Sequence, residues 1–231
     1  MENDYESVDV NLREILFNVN EAVEKYRSSG DKVRVMAVTK TVEPEKINHA
    51  VKLGIDLLGE NRVQEFMSKK DFYDKSAEVH FIGHLQTNKV KYIINDVTMI
   101  QSVDSVRLAE EINRLAAKNE RVMDILCEVN IGGEESKSGI APENLGELLN
   151  AAEELENIRV RGLMTIPPVS GSDIYFGKMQ ELFMSVMERR SERISMDTLS
   201  MGMTHDYVQA VKYGSTIVRI GTGLFGARNY K

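Results

Sequence analysis

Short apolar runs alternate along the chain with longer stretches in which apolar residues recur every three or four positions. The first such stretch carries Val10, Ile15, Leu16, Val19 and Val23 and predicts a helix that stops at Ser28-Ser29-Gly30. Residues 33–40 then read as a strand, and a helix is expected from about Pro44 to Leu53, closed by Gly54. Further strands are expected at 57–60, 79–83, 97–102, 124–129, 160–165, 198–201 and 217–220, which with the first makes eight. Helical patterns at 63–72, 89–94, 105–118, 142–155, 177–193 and 204–213 separate them. Several of the strands are apolar on both faces, as strands of a parallel sheet covered by helices are. The pattern predicts an α/β protein with a closed (β/α)8 TIM barrel and an extra N-terminal helix. An open doubly wound sheet is the competing arrangement. No Pro/Gly/Ser-rich linker, matching repeat or low-complexity tract breaks the chain, so residues 1–231 are expected to form one domain.

Composition narrows the function classes. A chain of 231 residues with 42% hydrophobic content can bury one large core. A formal net charge of -7 argues against a nucleic-acid partner, which needs a basic face. The lone Cys127 lies in an apolar run and cannot make an internal disulfide, so it reads as a buried, inert thiol. The acidic, polar start lacks the basic flank and apolar segment of a signal peptide. No apolar run approaches the length of about 20 residues that a membrane span needs. A soluble, cytoplasmic monomer with no membrane or nucleic-acid partner is expected.

In a barrel of this kind the chemistry gathers at the C-terminal ends of the strands. Lys40, Glu60-Asn61, His84, Asn130, residues 201–204 and residues 219–222 fall there in the expected pattern. Burial at a barrel mouth disfavours an ammonium and favours the neutral amine that adds to carbonyls, which suits Lys40 to imine formation. A strand-end lysine also reaches out to solvent for no chemical purpose, and position alone leaves both readings open. Gly221, Gly223 and Gly226 make a literal G-x-G-x-x-G. A dinucleotide site requires that motif to open a crossover helix, with an acidic residue about 20 positions further on, and no such continuation is expected here. What remains is a glycine-rich loop after the last strand, where this fold binds phosphate through backbone N–H groups. Ser200-Met201-Gly202-Met203-Thr204 adds hydroxyls beside it. Ordinary turn glycines have the same signature.

The remaining motifs are weaker. His80 and His84 stand four apart in a strand pattern, about 13 Å at about 3.3 Å per residue, so a shared metal ion is not expected. There is no G-x-S-x-G elbow to support a hydrolase. The polar loop 134–139 is either a solvated surface segment or one that turns Lys137 inward to a charged ligand.

The segments AVTKT (37–41), GENRVQE (59–65), HFIGHLQTNK (80–89), VNIGGEESKSG (129–139), GLMTIPP (162–168), LSMGMTHD (199–206) and VRIGTGLFGAR (218–228) resemble the pyridoxal-phosphate homeostasis protein family. They cover nearly the whole chain, in order, one per strand end. The resemblance implies a pyridoxal 5'-phosphate (PLP) barrel similar to the N-terminal domain of alanine racemases, with PLP held as an imine on Lys40. It implies that Arg219 faces the pyridine nitrogen, which would disfavour protonation there and weaken the ring as an electron sink. Gly221 and Thr222, with Ser200 and Thr204, match the phosphate-holding positions, and Asn61, His84 and Met201 fall in motifs near the cofactor. The family more often has serine where Thr204 stands; both supply a hydroxyl. The function implied is intracellular storage, buffering or delivery of PLP, with PLP-dependent apo-enzymes as partners. The alternative is a PLP-dependent, racemase-like enzyme acting on amino acids. Two-base racemisation needs a second acid/base opposite the lysine, which in alanine racemases is a tyrosine from an added β-domain of the partner subunit. No such domain is expected after Gly226, and nothing in the sequence places Tyr230 across the cofactor, so a non-catalytic carrier is expected.

Overall fold

A computed structural model of the chain describes residues 2–168 and 170–227. All eight apolar runs become strands: β1 Arg34–Val38, β2 Leu57–Glu60, β3 Glu78–Phe81, β4 Met99–Val103, β5 Met123–Glu128, β6 Ile158–Met164, β7 Ile194–Ser200 and β8 Ile217–Ile220. Each pairs in parallel with the next, and β8 pairs with β1, so the sheet closes on itself. The closure is well registered, with Met36 opposite Arg219 and Ala37 opposite Ile220. The barrel expected from the alternation is the one observed, and the open sheet is excluded.

Nine α-helices are described: α1 Glu2–Tyr26, α2 Pro44–Lys52, α3 Val63–Lys69, α4 Val90–Ile93, α5 Val106–Lys118, α6 Leu145–Glu153, α7 Ser172–Val186, α8 Tyr207–Lys212 and α9 Thr222–Phe225. Local chemistry sets several of their ends. Pro44 opens α2, where its missing N–H costs nothing, and Gly54 follows at φ 108. Ser105 caps α5 by accepting the N–H of Leu108. Several boundaries differ from expectation, β7 for one beginning at Ile194 rather than Thr198, and two others bear on the site or have a clear local cause. Helix α7 lies N-terminal to the expected 177–193, because Phe176 and Met179 anchor it in the core while Ser191 bonds the N–H groups of Arg193 and Ile194 and turns the chain into β7. Strand β1 ends at Val38, so Lys40 stands in the turn beyond it.

The core has two shells. Strand residues pointing outward, such as Ala37, Leu58, Phe81 and Ile100, pack against the helices in one continuous cluster. Residues pointing inward alternate with them and fill the lumen; Met36, Leu57, Ile82 and Ile217 form one such group. Helix α1 lies against α2, α8 and α9 and is the extra N-terminal helix. Its buried stripe is Val8, Leu12, Ile15, Val19 and Ala22, whereas Val10 and Leu16 of the expected stripe face outward. The 3–4 spacing from Val8 puts those five on one face, and Val10 and Leu16 fall off it.

Candidate functional site

The turn that carries Lys40 is clamped from behind. Lys69 of α3 donates to the carbonyls of Thr39 (3.1 Å) and Val42 (3.0 Å) and pairs with Glu65 (2.5 Å). Glu65 in turn accepts the Thr41 N–H at 2.6 Å and holds Thr41 at φ 61, a left-handed conformation that a threonine adopts only under constraint. Thr39 faces the helix shell, where its hydroxyl bonds Gly59 O (3.1 Å) and Glu60 (2.6 Å). The alternation through Met36 and Val38 therefore continues to Lys40 on the lumen side. Among the described residues no hydrogen bond or ion pair engages the Lys40 ammonium.

Glu60 belongs to that clamp and lies outside the lumen. It is fully buried and accepts from both Thr39 and Tyr73. Burial pushes its carboxyl above the usual carboxylate range, although both hydroxyl donors act against that. The sequence places Glu60 beside Asn61 at a strand end, but only Asn61 is left at the mouth.

Arg219 enters the lumen from β8 and is 3% exposed. Its guanidinium donates to Ser200 Oγ and to the Thr165 carbonyl, each at 2.8 Å. Desolvation lowers its pKa to about 10, against the opposing pull of Glu128 and Asp206, so it remains a cation at neutral pH. Ser200 is fully buried and its hydroxyl bridges Arg219 and Gln101. The structure thus places Ser200 under the Arg219 guanidinium and away from the glycine loop.

Thr204 and Thr222 do come together. Their hydroxyls are 3.3 Å apart, and Thr204 Oγ1 accepts the Gly223 N–H at 3.1 Å. Gly221 precedes α9, whose first N–H groups have no intrahelical acceptors. Gly202 makes the neighbouring turn at φ 92, where a Cβ would sit 2.4 Å from the Ala210 Cβ. Met201 is set in the barrel–helix core, with its carbonyl accepting from Ser215. Its neighbour Ser200 faces the lumen, so the strand alternation sends the Met201 side chain into the helix shell.

At the opposite rim, Asn61 and Gly83 approach so closely that a Cβ on Gly83 would lie 2.1 Å from the Asn61 carbonyl oxygen. Asn61 Oδ1 is buried without a hydrogen-bond partner. His84 is 62% exposed and stands 3.7 Å from Asp104. Glu128, at the end of β5, bonds Ser138 at 2.8 Å through one oxygen and leaves the other unpartnered. Burial raises its pKa, with Asp104 adding to the effect. Asn130 instead ties the following loop, donating to Glu134 O at 2.9 Å, and Lys137 pairs with Glu134 and bonds Pro167 O. Burial pushes the Cys127 thiol up to about 12, so it is no nucleophile. Tyr230 and Arg228 lie outside the described residues.

Sequence reasoning missed Gln101, Glu128 and Thr165. A polar residue between apolar neighbours in the run Met99-Ile100-Gln101 was the available signal, because an inward polar group in a barrel strand must find a lumen partner.

A lysine past the first strand and an arginine on the last are brought together by the closure of the ring, toward the C-terminal end of a parallel barrel. Residues 10–229 match the family described as the alanine racemase N-terminal domain. A protein of Aquifex aeolicus (strain VF5) named pyridoxal phosphate homeostasis protein is 46% identical over 224 residues, covering 95% of this chain and 97% of its own. A solved structure from Bifidobacterium adolescentis, of a protein described as unknown, superimposes with a TM-score of 0.91 at 31% identity and covers 97% of both chains. PipY of Synechococcus elongatus PCC7942, solved with PLP bound, gives a TM-score of 0.78 at 30% identity over 90% of this chain and 100% of its own. The chain belongs to the alanine racemase N-terminal domain family and, within it, to the pyridoxal phosphate homeostasis proteins.

Proposed function

We propose that residues 1–231 act as one unit that binds PLP and takes part in its homeostasis, by storing, buffering or delivering it rather than by turning over amino acids. The observation that carries this reading is Lys40, held on the lumen side by a clamped turn and without a partner, just past the strand that pairs with the one bearing Arg219. The PLP bound to PipY and the name of the Aquifex aeolicus relative support it.

The residues present fit the group. PLP supplies an aldehyde carbon that a lysine amine can capture. Lys40 is the amine, and its turn fixes where that amine points. Arg219 has only donors to offer, so a ring nitrogen held against it would stay unprotonated. Thr222, Thr204 and the leading N–H groups of α9 suit a phosphate. The unpartnered Asn61 Oδ1 is a polar atom waiting for a ligand donor, and His84 closes the rim. Two tyrosines have other partners: Tyr73 is engaged by Glu60 behind the strands and Tyr207 by Asn18. Neither offers a second acid/base across from Lys40. Among the described residues no helix is long and apolar enough to cross a membrane.

Incubation with PLP should give a visible absorption band that borohydride removes, with the added mass on Lys40 by peptide mapping. Lys40→Ala should lose both signals while its unfolding midpoint stays near the parent's. The same label on another lysine would move the site. Rapid racemisation of a single-enantiomer amino acid would replace the carrier reading with the enzymatic one.

A further inference from the structure

The inward polar groups form one chain that crosses the whole barrel. Arg219 Nη1 lies 2.8 Å from Ser200 Oγ, Ser200 Oγ 2.7 Å from Gln101 Oε1, and Gln101 Nε2 2.9 Å from His80 Nδ1. His80 Nε2 then stands 3.5 Å from Glu78 Oε2, which Arg34 Nη1 also approaches at 3.2 Å. Arg219, Ser200, Gln101 and His80 are buried, while Glu78 and Arg34 reach solvent at the N-terminal mouth.

The chemistry of arginine gives this chain a single sense. A guanidinium only donates, so Ser200 Oγ accepts from it, and the serine's own proton goes to Gln101 Oε1. That leaves the Gln101 amide nitrogen donating to His80, whose Nδ1 is therefore bare and whose proton sits on Nε2, facing Glu78. Turning the Gln101 amide round would point two donors at Ser200 and leave the hydroxyl proton without an acceptor in a buried lumen. A proton on His80 Nδ1 would likewise meet the Gln101 N–H head-on. The charged groups around His80 are Glu78 on its own strand, Arg34 on β1 and Asp124 on β5, and burial outweighs them to favour the neutral ring.

We infer that Gln101 and His80 are positioning residues for Arg219, which hold its guanidinium toward the ligand ring through a one-way hydrogen-bond chain ending at the opposite mouth of the barrel. The inference rests on the PLP site proposed above. It adds that the pose of Arg219 depends on where one histidine proton lies, deeper in the lumen than the groups proposed to touch the ligand.

Histidine-selective 15N NMR on the ligand-free protein reads that proton directly. His80 should be neutral and protonated on Nε2 at pH 7; an Nδ1–H tautomer or an imidazolium overturns the chain whether or not PLP binds. With PLP added, Gln101→Leu should raise the dissociation constant roughly tenfold, the scale of one lost hydrogen bond, because Ser200 would no longer be held under Arg219, and should shift the visible band. Gln101→Glu keeps an acceptor for Ser200, so it should recover most of that affinity while converting His80 to an imidazolium between two carboxylates. If Gln101→Leu does not fold, a neutral His80 in the Gln101→Glu protein overturns the inference instead. Folded Gln101→Leu that binds PLP with unchanged affinity and spectrum sinks the positioning role and leaves Lys40 as the site. A wild-type protein that takes up no PLP sinks the site reading and this inference with it, and the NMR result still reports whether the chain exists.

Discussion

The two mouths of the barrel carry similar polar residues and use them in opposite ways. At the N-terminal mouth the charges answer one another: Arg34 pairs with Asp56 and Glu78 at 3.2 Å each, Arg159 with Asp124 at 2.7 Å, and Arg161 with Asp197 at 3.0 Å. At the C-terminal ends of the strands the polar groups stay short of partners. Asn61 Oδ1, Ser102 Oγ and Glu128 Oε2 are buried with none among the described residues, and the Lys40 ammonium has none either. Only Arg34 Nε breaks the pattern at the other end. A buried polar atom without a partner costs free energy. Such atoms gather at the mouth where the ligand site is proposed, as expected where a fold gives up stability for a ligand, whereas the charges of the other mouth are answered within the protein.

The sharpest way to break this contrast is Arg219→Leu. It removes a buried cation that is bonded to protein on two sides, leaving the Thr165 carbonyl and Ser200 unanswered. The expected cost is about 2–3 kcal/mol in urea unfolding, together with loss of PLP binding. A variant as stable as the parent, with binding intact, would erase the distinction between the mouths.

A second test uses pH, because carboxylates at the two mouths titrate in opposite directions. The contact with His80, and then Arg34, holds Glu78 down at about 2, below the ordinary 4.5. A depressed pKa means that its contribution to stability is complete above about 4.5 and is lost as pH falls toward about 2. Glu128 is raised by burial, so the stability linked to its proton is complete below the ordinary 4.5 and is lost as pH rises through its folded value. Glu78→Gln should therefore flatten the acid limb of a stability–pH curve, by no more than about 1 kcal/mol given its exposure. Glu128→Gln should flatten the limb above it. Swapped assignments of the two limbs would contradict the contrast.

The smallest effect is expected from Arg161→Ala at the paired mouth. Its partner Asp197 is well exposed, and pairs of that kind contribute less than about 1 kcal/mol. A loss of several kcal/mol in thermal or urea unfolding would show that the ion pairs of this mouth act as a network.

How much of this was legible beforehand follows from what a linear pattern can encode. The eight strands were readable because each is a compact apolar run between polar turns, and Ser105 was readable as the start of α5. Lys40 stood out as a charge ending an apolar strand. The facing of residues at strand ends was not readable, because strands apolar on both sides give no alternation from which to tell lumen from helix shell. Glu60 and Asn61 are neighbours in sequence, yet Glu60 lies behind the sheet and Asn61 at the mouth. Ser200 looked like part of a phosphate loop and is a lumen residue under Arg219. His80 invited a question about metals, when its partner is an amide on the neighbouring strand β4, two positions past its register partner Met99.

The closure of β1 on β8 has a further consequence for how the protein comes into being. The strand that leads to Lys40 is the earliest of the barrel to be synthesised, and the strand that carries Arg219 is the latest. Until the two meet, the lysine has no neighbour with which to form a site, however well the intervening strands have assembled. Long-range pairing of this kind is among the slowest steps a chain takes. On the proposed site, specific ligand binding waits for finished molecules: a stalled or truncated chain displays Lys40 without Arg219 beside it.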